Sequence, residues 1–212
     1  MQHFTTSAIQ QWERFYRANL INSLSGFKSA SLIATVNKDG LPNVAIFSNI
    51  VHIGADPALI GFINRPREAA PHTITNIEAT KVYTINSIHA SFIDKAHQTS
   101  AKYAESESEF EATGLTPLYR PAIKAPFVAE SKIQYALELK EIVPVTYNNT
   151  FLVIGAITDI FLEEGLIMKD GFIAAEQAHT IATLGIDGYY EPVRLQRFAY
   201  AKKDKPVSTL DR

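Results

Sequence analysis

Residues 31–54 read SLIATVNKDGLPNVAIFSNIVHIG, and this stretch decides the fold expected for the chain. Two apolar, β-branched runs flank Asp39-Gly40, a pair that favours a tight hairpin turn. The stretch therefore predicts a strand, a turn and a second strand that continues from Asn43 to Gly54. Ser48-Asn49 interrupts the second run, and polar groups inside a buried strand need hydrogen-bond partners. The interruption predicts a β-bulge, a local side-chain network, or a contact with the edge of a flat heteroaromatic ring.

Further apolar segments are also typical of strands. They are ALIGFIN (58–64), KVYTIN (81–86), SKIQYALELKEIVPV (131–145) and TFLVIGAITDIFLEE (150–164). Asn148-Asn149 joins the last two with a predicted turn, and GLIMKDGFI from Gly165 predicts a short final strand or hairpin. Hairpin-linked strands indicate an antiparallel barrel or sandwich rather than a parallel doubly wound sheet.

Helical patterns are confined to short segments of the chain. Apolar residues from Thr6 to Ser23 recur at helical spacing and predict one amphipathic helix within residues 1–25. A short helix is predicted over residues 72–79, because Pro66 and Pro71 exclude helix from the preceding span. The fold expected is thus mainly β, with an N-terminal helix and short helical insertions.

The remaining segments predict surface structure. Residues 89–113 are expected to be helical or irregular, with the acidic run from Glu105 to Glu111 forming a solvated face. Residues 114–127 contain three prolines and predict an extended surface connection rather than a domain linker. The polar residues 201–212 predict a loose tail. The 212 residues suit one domain spanning 1–212.

Composition and charge exclude several classes of protein. The net charge of −2 provides no overall field toward nucleic acid or an anionic membrane. The absence of cysteine rules out disulfides, thiolate metal sites and cysteine nucleophiles, and fits a reducing cytoplasm. The N-terminus lacks the pattern of a signal peptide. The longest apolar tract, from Phe151 to Ile157, is far shorter than the roughly 20 residues of a membrane helix.

Common catalytic and metal-binding motifs are missing from the sequence. There is no GxGxxG, GxxxxGK[ST], HExxH or GxSxG motif. No two of the six histidines share the i, i+4 spacing of a helical metal pair. The sequence therefore predicts no metal site and nominates no catalytic residue.

Residues 64–86, NRPREAAPHTITNIEATKVYTIN, predict an anion site at the start of the short helix. A first helical turn offers unpaired N–H groups and the positive end of the helix dipole. Thr73 adds a hydroxyl there and Asn76 an amide one turn later. Arg65 and Arg67 precede it, and the arginine fork suits phosphate oxygens. The alternative is that Thr73 only caps the helix, Asn76 bonds a nearby loop and the arginines are solvated.

Several of these segments, taken in order, resemble the flavin reductase-like family, which binds FMN in a split β-barrel. The family pattern S-x-x-S-x-D-P-P-L-x-x-F is similar to SNIVHIGADPALIGF from Ser48. The family's D-T-x-x-N-I helix and [FY]-x-[VI]-N strand are similar to PHTITNI from Pro71 and VYTIN from Val82. The later TSAKY, SEFEATGLT and FVAES segments also resemble one branch of the family. The resemblance covers residues 25 to 195 approximately.

The resemblance implies a set of FMN-binding residues, with FMN favoured over FAD. The residues implied are Phe47, Ser48, Asn49 and Ile50 at the flavin ring edge; Asn64, Arg65 and Arg67 at the loop near the ribityl chain and phosphate; and His72, Thr73 and Asn76 at the phosphate helix. His72 stands where many members have Asp. The resemblance also implies a homodimer, in which Lys102 of TSAKY reaches the partner's site or is simply a solvated helix charge.

The same resemblance leaves three functions open. Members that use NAD(P)H to reduce free flavin often carry Gly-Asp-His before a late strand, and YNNTFLVIGAI from Tyr147 has no such triplet. The function expected first is an FMN-dependent oxidoreductase, with NAD(P)H one candidate donor and the physiological donor and acceptor unidentified. The alternatives are a flavin-carrying electron-transfer or storage protein without a small-molecule substrate, and a split-barrel binding module that has lost flavin.

Overall fold

The computed structural model describes residues 1–210 as a mainly β protein. Its helices are α1 Thr6–Gln11, α2 Arg14–Leu24, α3 Pro71–Thr80, α4 Ile93–Gln98 and α5 Glu109–Thr113, with a 3₁₀ turn at Ala90–Phe92. Its strands are β1 Lys28–Ser29, β2 Ser31–Val36, β3 Pro42–Phe47, β4 Ile50–Ala55, β5 Ala58–Asn64, β6 Val82–Ser87, β7 Pro117–Arg120, β8 Ile123–Val128, β9 Ile133–Val145, β10 Thr150–Leu162, β11 Ala182–Leu184 and β12 Gly188–Tyr190.

Seven strands form the main sheet, in the order β3-β2-β6-β9-β10-β5-β4, and all their pairings are antiparallel. β3 and β4 are consecutive in the chain but lie at opposite edges of this sheet. The sheet must therefore curl until its two edges approach each other where the chain passes from β3 to β4. This arrangement confirms the predicted antiparallel split-barrel class. The hairpin turn before β3 also forms as predicted, with Gly40 at φ +87°.

The strand predicted from Asn43 to Gly54 is divided in the structure. It ends at Phe47 and resumes at Ile50, because its two halves pair with different strands, β2 and β5. Asn49 fixes this corner: its Nδ2 donates to the Ile63 carbonyl at 2.9 Å, and the Ile63 N–H donates to its Oδ1 at 3.2 Å. The Asn49 side chain thus bonds the backbone of β5 at this corner, and the contact with a flat heteroaromatic ring stays a prediction.

The interior of the curled sheet holds an apolar cluster. Phe62, Tyr83 and Leu137 are fully buried there, together with Ile74 and Ile77 of α3. α3 closes this side of the sheet, because these two isoleucines lie three positions apart and share one helical face. The burial of α3 fixes the position of its N-terminus.

The N-terminal segment forms two helices instead of the single one predicted. Glu13 interrupts the helix, since its extended backbone lets the carboxylate accept from the N–H groups of Phe15 at 2.8 Å and Tyr16 at 3.0 Å. Glu13 thereby caps α2. Neither α1 nor α2 contains a buried residue, and Phe15, Tyr16, Ile21 and Leu24 of α2 are solvent-exposed.

The prediction of a surface connection over residues 114–127 was wrong. β7 and β8 form a hairpin there, and Phe127 on β8 is completely buried. The backbone of β8 is held by side chains of β6: Thr84 Oγ1 donates to the Pro126 carbonyl at 2.6 Å, and Val128 N–H donates to Asn86 Oδ1 at 3.0 Å. Proline removes one backbone donor, and here β6 side chains satisfy the neighbouring polar groups.

The C-terminal region contains a small sheet that the sequence analysis did not predict. β1, β11 and β12 form three antiparallel strands. The predicted hairpin in residues 165–173 reduces to one bridge between Ile167 and Ile173. In the predicted loose tail, Thr209 forms a bridge with Phe198, and residues 211–212 lie outside the described part of the chain. Within residues 1–210, no helix has the length and apolar character needed to cross a membrane.

Candidate functional site

A cavity of about 340 Å³ lies beside the corner between β3 and β4. Its walls come from four places: the corner itself, the loop of residues 65–70, the N-terminus of α3 and the segment of residues 97–103. Residues of the small C-terminal sheet complete it. A volume of this size falls within the range of small-molecule and cofactor sites.

The structure brings most of the predicted site residues to this cavity. The seven that line it are Phe47, Ser48, Asn49, Arg65, His72, Thr73 and Lys102. The other four, Ile50, Asn64, Arg67 and Asn76, are not part of its lining. Ile50 packs instead against the apolar cluster inside the sheet.

Arg67 has a different partner from the one that its position in the sequence suggests. Its guanidinium binds both carboxylate oxygens of Glu78 on α3, with NH1 donating to Oε2 at 2.8 Å and NH2 to Oε1 at 2.5 Å. It also lies over the Phe151 ring at 5.0 Å from the centroid. The hydrogen bonds from Arg67 lower the pKa of Glu78. Arg65, two residues earlier, is the arginine of this loop that lines the cavity.

Asn64 and Asn76 shape the cavity from behind its walls. Asn64 Nδ2 donates to the carbonyls of Arg65 at 2.8 Å and Ala70 at 3.2 Å, which holds the loop between them in a closed turn. Asn76 is buried on α3, and its Nδ2 donates to Thr35 Oγ1 on β2 at 3.0 Å. The partner of Asn76 thus lies on a strand, whereas the alternative drawn from the sequence placed it on a nearby loop.

The start of α3 is suited to an anion. Pro71 occupies the first helical turn, where its lack of an N–H costs nothing. No side chain caps this helix, so Thr73 does not play the capping role of the alternative reading. The backbone donors of the first turn therefore remain available beside a cavity that Arg65 and Lys102 also line.

A carboxylate that the sequence analysis assigned to solvent lies at the same place. Glu109 is buried, which corrects the expectation that the whole run from Glu105 to Glu111 is solvated. Its Oε2 accepts from Asn43 Nδ2 at 2.6 Å and from the Val44 N–H at 3.3 Å. Burial raises the pKa of the Glu109 carboxyl, although these donors and His72 oppose the rise.

Glu109 belongs to a run in which glutamate alternates with other residues from Glu105 to Glu111, and this pattern gives no sign that one glutamate is buried. Glu109 begins α5, and the next residue, Phe110, is buried in the apolar cluster with Leu32 and Val44. A phenylalanine directly after the glutamate anchors α5 and draws the carboxyl inside with it. The SEFEATGLT match from Ser108 drew attention to this segment, but it contains both Glu109 and Glu111 and does not separate them.

The wall formed by the small C-terminal sheet was not predicted from the sequence. Lys102 and Tyr103 line the cavity within this chain, and their reach toward a partner's site stays a prediction. The His97 Nδ1 and the Tyr189 hydroxyl are hydrogen bonded at 2.7 Å, which ties α4 to β12. Thr183 on β11 is buried at the cavity, and its hydroxyl has no hydrogen-bond partner among the described residues. The short strands that carry these groups give little sequence signal.

Comparisons with known proteins agree with this architecture. A candidate flavin reductase with a split barrel domain from Shewanella frigidimarina NCIMB 400 superimposes with a TM-score of 0.91 and is 45% identical, covering 95% of this chain and 100% of that one. Nitrilotriacetate monooxygenase component B from Bacillus cereus gives 0.81 at 22% identity, covering 92% and 97%. An FMN-binding protein from Thermus thermophilus gives 0.70 at 16%, covering 91% and 96%. The last two likenesses bear on the fold alone.

A family model matches the larger part of the sequence, over residues 24–174. The matched range includes β2 to β10, α3 and α5, and thus most of the cavity walls, but it stops before β11 and β12. The chain belongs to the family described as the flavin reductase like domain.

Proposed function

We propose that this protein is an FMN-dependent oxidoreductase that passes electrons through flavin bound in the cavity. One observation carries the proposal: Arg65, Lys102 and the uncapped start of α3 meet beside the Ser48-Asn49 corner in one cavity. An anion held by these donors and a ring lying against the corner together match a phosphorylated flavin. The family membership of the chain and the FMN-binding protein of the same fold support this choice.

The residues present fit FMN better than a larger cofactor. Two permanently charged side chains suit one phosphate group, and arginine can bind two of its oxygens at once. FMN carries one phosphate group, whereas FAD carries a diphosphate and an adenosine that would need further contacts. The unpartnered Thr183 hydroxyl supplies a further polar contact inside the cavity.

FMN, when bound, supplies hydride and single-electron chemistry, and the protein provides position and electrostatics. In this proposal Arg65 and Lys102 hold the phosphate, and Asn49 keeps the corner in shape through its two bonds to Ile63. We assign no residue as an acid or base. The absence of Gly-Asp-His leaves NAD(P)H as one candidate donor among others, and a flavin carrier without its own small-molecule substrate is the second candidate function.

We also propose that the protein is a homodimer in the cytoplasm. α2 and the residues after it expose the large apolar side chains of Phe15, Leu24 and Phe27, and a second copy of the chain could cover them. A stable interface should bury more than about 1,000 Å² in total. Light scattering should then give twice the chain mass of 23.5 kDa. A monomer at micromolar concentration would contradict the dimer without affecting the cofactor.

The cofactor itself is tested by binding measurements. The purified protein should be yellow or become yellow with FMN, and it should bind FMN more tightly than FAD. Bleaching by NADH or NADPH, followed by reoxidation with an added acceptor, would indicate an oxidoreductase. Bleaching only by chemical reductants or protein donors would favour the carrier.

Arg65 and Arg67 form a matched pair for testing the phosphate contact. Arg65→Ala should weaken FMN about ten- to a hundredfold, since a hydrogen bond to a charged group contributes ~1.5–3 kcal/mol. The same substitution should change the affinity for riboflavin, which lacks the phosphate, by less than about threefold. Arg67→Ala is the control, because Arg67 is paired with Glu78, and both ligands should change little. A larger loss of FMN affinity in Arg67→Ala than in Arg65→Ala would indicate that Arg67 contacts the phosphate instead of Arg65.

A further inference from the structure

Glu109 places a negative charge where the proposed function places the phosphate. Its Oε1 lies 4.0 Å from Nδ1 of His72, the second residue of α3. Both side chains line the same cavity. A phosphate held at the start of α3 therefore lies close to a carboxylate, and like charges at short range repel strongly where water is excluded.

Glu109 cannot turn away from this position. Its side chain is only 6% exposed, and its Oε2 is held by Asn43 Nδ2 at 2.6 Å. Asn43 is itself held by Thr35, whose Oγ1 donates to its Oδ1 at 3.3 Å. Thr35 also accepts from Asn76 Nδ2, so that a buried chain of hydrogen bonds joins Glu109 to α3. The carboxyl can escape the repulsion only by gaining a proton or by facing a protonated His72.

We propose that Glu109 and His72 together take up a proton when the phosphate of FMN binds, so that this pair sets the pH range over which the cavity holds a phosphorylated flavin. The inference rests on the proposed function. Burial already raises the pKa of the Glu109 carboxyl, which is the direction that favours holding the proton. Histidine is the side chain that most readily accepts a proton near neutral pH.

Other charged groups around the pair do not cancel this effect. Those lining the cavity or the adjoining cleft at His72 are Arg65, Glu68, His97, Lys102, Glu105 and Glu107. Arg65 and Lys102 are the basic side chains of this set, and they attract the phosphate by charge. The three glutamates other than Glu109 belong to loops at the surface and are exposed, where solvent screens them. His97 is engaged by Tyr189.

The direction of the pH dependence follows from linkage. If the complex holds one proton more than the free protein, FMN affinity falls as pH rises, by up to about tenfold per pH unit. A phosphate monoester loses its second proton near pH 6, so it is already a dianion above pH 7. Measurements between pH 7 and 9 therefore report the protein groups and not the ligand.

The test compares two ligands and two proteins. Calorimetric titrations of the full chain with FMN and with riboflavin, in buffers of different ionisation enthalpy at pH 7.5, count the protons taken up without any substitution. The wild-type protein should take up a fraction of a proton up to one with FMN and none with riboflavin. In Glu109→Gln, the amide can still bond Asn43, and FMN should bind about tenfold more tightly at pH 8.5, with a flatter pH profile.

Each outcome of these titrations either supports or overturns the proposed proton uptake. FMN binding without proton uptake, or a wild-type pH profile as flat as that of Glu109→Gln, overturns the proton coupling and leaves the proposed function standing. Equal effects of Glu109→Gln on FMN and riboflavin would show that Glu109 contacts the shared part of the ligand, and would also overturn it. No FMN binding at any pH would remove the proposed function and this inference with it.

Discussion

Gly155 on β10 offers a direct test of how closely the interior of the barrel is packed. A Cβ atom at this position would overlap the hydroxyl oxygen of Tyr83, and it would lie 2.9 Å from Tyr83 Cζ and 3.1 Å from Leu137 Cβ. Tyr83 and Leu137 are fully buried, so neither can move into solvent. Gly155→Ala should therefore destabilise the protein by about 1–3 kcal/mol, the usual cost of overpacking a core.

Tyr83 makes this prediction specific. Its hydroxyl is buried without a hydrogen-bond partner among the described residues, and burial raises its pKa strongly. Tyr83→Phe removes an unsatisfied polar group, so it should be neutral or should stabilise the protein by up to ~1 kcal/mol. It should also relieve the worst overlap in Gly155→Ala, although the Cζ contact at 2.9 Å remains. The double variant should therefore recover about 1 kcal/mol or more relative to the sum of the single variants.

Urea unfolding of the four proteins at one protein concentration measures this coupling. Gly61→Ala on β5 is the control, since its Cβ would meet methyl groups of side chains and no ring or backbone atom: Leu152 Cδ1 at 3.0 Å, Ile53 Cδ1 at 3.1 Å and Val51 Cγ1 at 3.3 Å. It should cost less and should not couple to Tyr83→Phe. Additive effects of Gly155→Ala and Tyr83→Phe, within about 0.5 kcal/mol, would refute the packing argument.

Three further changes test the site and its supports. Asn49→Ala should destabilise the protein by about 1–3 kcal/mol in urea unfolding, because it leaves the Ile63 N–H and carbonyl without partners; an unchanged midpoint would contradict this role. Thr183→Val should leave stability within about 0.5 kcal/mol while changing FMN affinity, and the reverse result would make the hydroxyl structural. Folding raises the pKa of the Glu109 carboxyl, so the native state binds more protons than the unfolded state. The free energy of unfolding should therefore fall as the pH rises from about 4.3, the ordinary pKa of glutamate, through the raised pKa of Glu109. Glu109→Gln should lack that decline in urea unfolding from pH 4 to 8.

The strands of the main sheet were readable from the sequence because their apolar runs are long and bounded by turn residues. β2 and β5 begin and end at the predicted residues, and α3 begins at Pro71, one residue before the prediction. The break between β3 and β4 was not readable, because it depends on which strand each half pairs with. That choice is made by the closure of the whole sheet and leaves only a polar dipeptide in the sequence.

The candidate site was readable where residues act through their own local structure, and unreadable where tertiary contacts redirect them. Arg65 and Arg67 are equivalent in sequence, and only the position of Glu78 two turns along α3 separates them. Glu109 resembles its acidic neighbours until Phe110 anchors α5 in the core. The wall from β11 and β12 consists of three-residue strands, which are too short for any periodicity to be recognised.

The division of charges between the loops and the helices of the site leads to a final prediction. Arg65 and Lys102 lie on loops and carry permanent charges, whereas His72 and Glu109 lie on helices whose buried side chains fix them to the sheet. Removing a permanent charge should lower FMN affinity by the same factor at every pH, whereas removing Glu109 should change the slope. Arg65→Ala should therefore give a curve of log Kd against pH that is parallel to the wild-type curve between pH 7 and 9, and Glu109→Gln a curve that crosses or converges with it toward low pH. If the Arg65→Ala curve instead converges with the wild-type curve, Arg65 controls the protonation of His72 and Glu109, and the charges on the loop and on the helices are coupled.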